Sequence, residues 1–223
     1  MKNLFVILIL VVILCNSGCK KDSSNPIASS AYETDSTVTY FGKSYHKVKI
    51  GTQIWMKENL EVGTMKNGSS EKTNNCIIEK YCYNDDPANC ITYGGLYQWN
   101  EAMQYVTTER TKGICPTGWH IPTIAEYQTL DTAISFNGNS LKAVGQGTGT
   151  GAGTNISGFS TLLAGYGDPS GFFFYLGSDT YSWISTEYDE VGASGTYLNG
   201  NDSSFDFYHF DQGNGFSVRC VKD

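Results

Sequence analysis

The sequence predicts an α+β fold of two helices, short antiparallel strands and long loops. Three observations carry the prediction. Apolar residues recur at helical spacing between Leu96 and Val106; a Thr-x-x-Glu box at Thr123–Glu126 opens a second apolar stripe; and the carboxyl-terminal third breaks into short aromatic and β-branched runs separated by Gly, Asn and Asp. The composition agrees with a packed domain. Thirty aromatic residues in a chain that is 40% hydrophobic supply the apolar surface that a disordered chain lacks.

At the amino end, Lys2 is followed by eleven apolar residues, Leu4 to Leu14, and then by Ser17 and Gly18 in front of Cys19. This is the order of an export signal, and the apolar run falls short of the ~20 residues that a membrane-crossing helix needs, so residues 1–18 read as a cleaved signal peptide. Small residues just before a cysteine look like a bacterial lipobox, with Asn16 where the usual pattern has Leu. Cys19 is then the lipidation site and the first residue of the mature chain. The expected partner is the membrane, held through the lipid anchor, and the expected location is the bacterial outer membrane or cell surface. Residues 19–36, rich in Lys, Asp, Ser and Asn, read as a flexible tether. Its Lys20-Lys21-Asp22 opening resembles lipoprotein tails of Bacteroidetes-like bacteria. The folded domain is expected over 37–223.

Within that domain, Val38–Tyr40 and Tyr45–Ile50 flank Phe41-Gly42-Lys43-Ser44 and read as a hairpin, with His46, Val48 and Ile50 on one face. Leu96, Trp99, Ala102, Met103 and Val106 fall on one side of a helical repeat and define the first helix. The second helix begins at Pro122-Thr123. There the threonine hydroxyl and the Glu126 carboxylate can each satisfy an orphan amide, and Tyr127, Leu130 and Ile134 form the buried stripe. Gly145–Gly153 alternates Gly with Gln, Thr and Ala and reads as a mobile loop. Its Gly-x-Gly-x-x-Ala match neither follows a strand nor opens a helix, so nucleotide binding is not expected. Runs at Tyr181–Thr186, Thr196–Leu198, Phe205–Phe210 and Phe216–Val221 complete the strands, the last with Phe216, Val218 and Cys220 facing inward.

Charge and cysteine content narrow the setting. With 22 acidic against 15 basic residues the net charge is −7, which disfavours a nucleic-acid partner. Of seven cysteines, Cys15 leaves with the signal peptide and Cys19 is taken by the lipid, so Cys76, Cys82, Cys90, Cys115 and Cys220 remain. An exported chain without a Cys-x-x-Cys pair is expected to form two disulfides and keep one thiol; the spacing leaves the connectivity open.

Several blocks, in order, resemble a known family. Val48-Lys49-Ile50-Gly51-Thr52-Gln53-Ile54-Trp55-Met56-Lys57-Glu58-Asn59-Leu60, Tyr81-Cys82-Tyr83-Asn84-Asp85-Asp86, Tyr93-Gly94-Gly95-Leu96-Tyr97-Gln98-Trp99, Cys115-Pro116-Thr117-Gly118-Trp119-His120-Ile121-Pro122-Thr123 and Gly215-Phe216-Ser217-Val218-Arg219-Cys220-Val221 are similar to the Fibrobacter succinogenes major paralogous domain. The resemblance runs from about residue 38 to 223. It implies an exported, lipid-anchored bacterial protein with a fold like those of C-type lectins and sulfatase-modifying factors. It also implies that Cys115 bonds Cys220 and Cys82 bonds Cys90, with Cys76 as the extra thiol or as a competitor for Cys82 or Cys90.

Sulfatase-modifying relatives use cysteines and copper in the carboxyl half, but here only Cys220 follows Cys115, so no catalytic residue, metal or other cofactor is expected. His46, His120 and His209 lack the spacing of metal-binding helices, and His120, between Trp119 and Ile121, reads as a satisfied core residue. Asn84-Asp85-Asp86-Pro87 offers oxygens to a hard cation but reads more simply as an Asx turn. The feature left over is aromatic density: fourteen rings stand between Tyr166 and Phe216. Most are expected to pack inward, and Trp183, Tyr188 and Tyr197 are the candidates for exposed ligand-stacking platforms. The functional expectation is a non-catalytic binding or adhesion module for a glycan or a protein. The alternatives are a structural envelope lipoprotein without a small ligand and an extracellular enzyme of sulfatase-modifying type.

Overall fold

The computed structural model describes residues 32, 33 and 36–223. The signal peptide, Cys19 and most of the expected tether lie outside the described residues. The fold is mostly β. One sheet has six strands in the order β1 (Tyr32–Glu33), β2 (Thr37–Tyr40), β3 (Lys43–Ile50), β4 (Gln53–Met56), β13 (Val221–Lys222) and β7 (Trp119–His120). A second has five, in the order β12 (Phe205–Asp211), β11 (Gly192–Asn199), β10 (Asp179–Glu187), β8 (Ala164–Gly167) and β9 (Phe173–Leu176). A parallel pair, β5 (Thr64–Met65) and β6 (Glu79–Lys80), stands apart. The α-helices among the described residues are short: α1 (Pro87–Tyr93), α2 (Trp99–Ala102) and α3 (Ile124–Ala133) have 7, 4 and 10 residues. The expected C-type-lectin-like α+β arrangement of two helices with minor strands is therefore overturned in favour of two curled sheets with three short helices.

The first expected helix shows why. Leu96, Trp99, Ala102 and Met103 are all buried, as their spacing requires, but only Trp99–Ala102 is helical. Leu96 pairs with Tyr81 and Tyr97 with Phe216 in β-bridges before the helix starts, and Gln104 and Tyr105 take left-handed backbone (φ 54° and 58°) just after it. Val106 is left exposed. Backbone pairing to distant strands outweighs the local period, the usual way tertiary context overrides a weak propensity. The second expected helix survives because its start is a local device. Thr123 Oγ1 accepts from the Glu126 amide at 3.2 Å while Glu126 Oε2 accepts from the Thr123 amide at 2.9 Å, and Tyr127 and Leu130 are buried. The sequence reading missed α1. Asp86 caps it, accepting from the Ala88 amide at 2.9 Å, and Pro87 occupies the first turn where no amide is needed.

The hairpin of β2 and β3 closes through Phe41-Gly42, both at positive φ (50° and 78°), the tight turn whose twist matches that of the strands. β1 adds to its edge from within the stretch expected to be tether. Alternate residues of β3 feed two cores, since successive side chains leave opposite faces. Tyr45 is buried with Met56, Leu60, Trp99, Trp119 and Trp183, whereas Ile50 is buried with Trp55, Tyr127, Leu130, Ile184 and Leu198.

A carboxyl-terminal segment stitches the two sheets together. Gly215 pairs with Gly167 and Ser217 with Ser182 in the second sheet, and Val221 then lies between Trp55 and His120 in the first. Because these partners lie in different sheets, the expected strand from Phe216 to Val221 is mostly single bridges, although Phe216, Val218 and Cys220 are all buried. Cys220 bonds Cys115 and Cys82 bonds Cys90. Because Cys82 and Cys90 bond each other, Cys76 does not compete for either. The loop Gly145–Gly153 is held in place rather than loose: the Thr148 amide bonds Gly200 O at 2.8 Å and Thr150 Oγ1 bonds Asn201 O at 2.9 Å. Among the described residues, no helix is long and apolar enough to cross a membrane.

Candidate functional site

The register of the second sheet gathers one set of aromatics. Tyr181 of β10 lies opposite Tyr197 of β11; Gly195 and Ala193 of β11 lie opposite Tyr208 and Phe210 of β12; and Tyr166 of β8 lies opposite Phe174 of β9. Directly opposed residues share a face, so these rings form a stripe across all five strands. Successive centroids are 5.5 Å apart for Phe174 and Tyr166, 5.0 Å for Tyr166 and Tyr181, 5.1 Å for Tyr181 and Tyr197, and 6.2 Å for Tyr197 and Tyr208. Five strands at about 4.8 Å spacing make the stripe about 19 Å long.

The stitching segment lies across part of this face, where Phe216 meets Phe210 at 4.9 Å and Tyr166 at 5.9 Å. Phe216 stacks on Trp183 at 4.3 Å and on Tyr181 at 5.0 Å, sealing the Trp183 end into the core. Beyond it the rings emerge: Tyr175, whose left-handed backbone (φ 65°) interrupts the alternation and whose ring lies 6.0 Å from that of Tyr166, is 53% exposed, Tyr208 50% and Phe174 38%, while Tyr166, Tyr181, Tyr197 and Phe210 are half-buried. Each half-buried ring is fixed by its neighbours and offers the remainder to solvent.

Polar groups punctuate the stripe. Burial pushes the Tyr166, Tyr181 and Tyr197 hydroxyls above the usual phenol range, and the nearby Asp179 adds to the effect at Tyr181 and Tyr197. These hydroxyls therefore stay protonated and able to donate. Asp206, opposite Tyr197, shares the face, and Asn199 Nδ2 donates to the Tyr197 hydroxyl at 3.0 Å. Asp179 is buried at the end of the same row. Burial raises its carboxyl and the negative charge of Asp202 adds to this, against the lowering effect of hydrogen bonds from Gly200 and Tyr197. The ledge thus alternates flat apolar faces with hydroxyl donors and carboxylate acceptors, a pattern that can stack a sugar ring and bond its hydroxyls.

Of the three residues expected to contact a ligand, the fold puts only Tyr197 on the stripe. Trp183 shares the face but is fully buried beneath Phe216, and its indole Nε1 donates to Tyr97 O at 2.6 Å, so it is corrected from ligand platform to core residue. Tyr188 is 62% exposed but lies in the turn between β10 and β11, stacked at 3.8 Å on His209, whose side chain leaves the opposite face of β12 from Tyr208. Phe174, Tyr175, Tyr166, Tyr181 and Tyr208 were not singled out from the sequence. The alternation in β12, Phe205-Asp206-Phe207-Tyr208-His209-Phe210, places aromatics on both faces and so does not say which face is open.

Other ionisable groups are engaged in holding the fold. Asp85 accepts from Asn67 Nδ2 and from the Gly68 amide, both at 2.8 Å, so with Asp86 capping α1 the Asn84–Asp86 carboxylates are both used. His120 is buried with Nδ1 2.6 Å from Asp223 Oδ1 and Nε2 2.9 Å from Glu126 Oε1. Buried Glu101 is raised by desolvation and accepts from the Glu79 amide at 3.0 Å and the Tyr105 hydroxyl at 3.0 Å. Among the described residues, no group of three or more His, Cys, Asp or Glu side chains is placed to hold a metal ion.

Comparison with known proteins returns no match among curated proteins and none among solved structures. The family model described as the Fibrobacter succinogenes major domain matches residues 48–222, a span that takes in the stripe, the stitching segment and both described disulfides. The chain belongs to the Fibrobacter succinogenes major domain family.

Proposed function

We propose that this protein is a non-catalytic binding module of the bacterial cell envelope, anchored by lipid at Cys19, that takes an extended glycan along the aromatic stripe. The observation that supports a glycan is the ring-to-ring spacing of 5.0 to 6.2 Å sustained across five strands, with the rings partly exposed and hydroxyls interleaved. A pyranose carries an apolar C–H face and a rim of hydroxyls, which such a ledge complements. A protein partner would be expected to meet a more continuous apolar patch with a few dominant anchors. The lipid anchor and the surface location rest on the Lys2 to Cys19 pattern and would hold the ledge near the envelope, where polysaccharide is abundant.

The test is a glycan array probed with the chain from residue 19 carrying Cys19→Ser, beside Tyr175→Ala, Tyr208→Ala and Tyr188→Ala versions. Loss of one stacking ring is expected to weaken binding roughly two- to tenfold for Tyr175→Ala and Tyr208→Ala. Tyr188→Ala, off the stripe, is expected to bind like the parent. An array that stays blank, or that responds to Tyr188→Ala and ignores the other two, removes the glycan reading and favours a structural envelope component.

A further inference from the structure

On a different part of the molecule, buried Arg219 lines a cleft of about 140 Å³ together with Lys43, Lys57, Glu58, Tyr93 and Leu162 among others. The guanidinium is held by neutral oxygens. Nε and Nη2 both donate to Asn59 Oδ1, at 3.1 and 2.9 Å, and Nη1 donates to Phe159 O at 2.6 Å, with the Phe159 ring 4.3 Å beneath. Asn59 is in turn fixed by donating to Tyr93 O and Ser217 Oγ at 2.9 and 3.1 Å. Three of the five guanidinium N–H groups are thereby used, leaving one on each terminal nitrogen.

A buried cation is ordinarily paired with a carboxylate, because desolvation without a counter-charge is expensive. Burial drives the Arg219 guanidinium down to about 10, against the opposing pull of the nearby Tyr127 and Glu58 side chains. The carboxylate that also lines the cleft, Glu58, is bonded to the His46 amide and to His46 Nδ1 at 2.7 and 2.8 Å. Lys43 pairs with Glu61, and Lys57 brings a further positive charge to the wall. With Lys43 neutralised by Glu61, this cleft in a chain of net charge −7 sets two cations, Arg219 and Lys57, against one anion, Glu58. The floor is rigid, partly open and short of one negative charge.

We propose that this cleft is a binding site for the carboxylate of a small ligand, with Arg219 meeting it through its two remaining N–H groups and Lys57 supplying the second charge. The planar fork of a guanidinium matches a carboxylate better than a spherical or tetrahedral anion, and Tyr93 and Leu162 offer apolar walls for the rest of the molecule. The site stands apart from the aromatic stripe and does not depend on it.

The test is a titration of the Cys19→Ser chain with sodium D-glucuronate and with N-acetylglycine, followed by calorimetry and by amide chemical shifts. Their uncharged counterparts, D-glucose and N-acetylglycinamide, serve as comparisons. A charge-assisted fork is expected to favour at least one acid over its counterpart by about tenfold or more, and which acid wins tells a sugar acid from a peptide end. Arg219→Gln is expected to abolish the preference. Should that variant fail to fold, Lys57→Gln is expected to weaken binding about threefold by removing one nearby charge, and Thr92→Trp, at the exposed rim, to block it. Tyr208→Ala is expected to leave it unchanged, so loss of glycan binding and loss of this site are separable. Equal affinity for acid and counterpart, or sulfate displacing both acids as readily as they displace each other, overturns the assignment.

Discussion

Removing the Cys115–Cys220 disulfide tests how the two sheets are held together. The bond joins residues 105 apart in sequence, whereas Cys82–Cys90 joins residues 8 apart, and all four cysteines are buried. Replacing either pair with alanine deletes similar sulfur volume from a similar environment, so the packing losses largely cancel and the difference reports on the unfolded chain. In the chain-entropy account, closing loops of these lengths is worth about 4.8 and about 2.5 kcal/mol at room temperature. The double variant Cys115→Ala/Cys220→Ala is thus expected to lose about 2.3 kcal/mol more than Cys82→Ala/Cys90→Ala. With a urea dependence of roughly 2 kcal/mol per molar, that is a midpoint about 1 M lower. Four buried tryptophans, Trp55, Trp99, Trp119 and Trp183, divided between both cores, supply the fluorescence signal for urea titrations under non-reducing conditions. Coincident midpoints, or a larger loss from the short loop, would refute the reasoning and show that the long bridge acts mainly through native contacts.

Two further outcomes follow from the packing. Burial raises the Glu126 carboxyl, but hydrogen bonds from His120 and Thr123 outweigh it and hold the group below the usual glutamate range. A carboxyl lowered on folding contributes stability that is fully present above its unfolded value of about 4.3 and is lost as the pH falls through the folded value. Glu126→Gln is therefore expected to cost roughly 0.5–2 kcal/mol near pH 6 and much less near pH 3, in urea midpoints compared across pH; a cost that does not change with pH contradicts the charge argument. At Gly195, a Cβ would stand 2.9 Å from Phe210 Cδ2, so Gly195→Ala must displace the ring at the inner margin of the stripe. Calorimetry is expected to show a melting temperature lower by roughly 2–10 °C, from an overpacking cost of roughly 1–3 kcal/mol; an unchanged melting temperature means that the ring turns aside freely.

The parts legible from the sequence are those whose cause is local. The capping box at Thr123–Glu126 brings its own partners, and the hairpin turn Phe41-Gly42 lies between runs that alternate, so both form where expected. Leu96, Trp99, Ala102 and Met103 of the first expected helix are core positions, although Val106 is exposed and the helix itself shrinks to Trp99–Ala102. An apolar period records which side chains must avoid water, and a backbone that pairs with Tyr81 and Phe216 can meet that demand as well as a helix can. The balance of helix and strand was misjudged for this reason.

The binding ledge lies on the other side of that boundary. Residue types announce an aromatic-rich carboxyl half, and the period of two assigns each ring to one of two faces. Which face meets water depends on where the segment from Gly215 to Lys222 passes, because Phe216 seals Trp183 into the core and stops short of Tyr175 and Tyr208. Likewise, that Arg219 is buried over neutral oxygens at the floor of a cleft follows from Asn59 and Phe159, which stand 160 and 60 residues away. Local chemistry writes caps, turns and core membership into the chain. Exposure and charge balance belong to contacts between distant segments, and those exist only once the two sheets have closed on the strand between them.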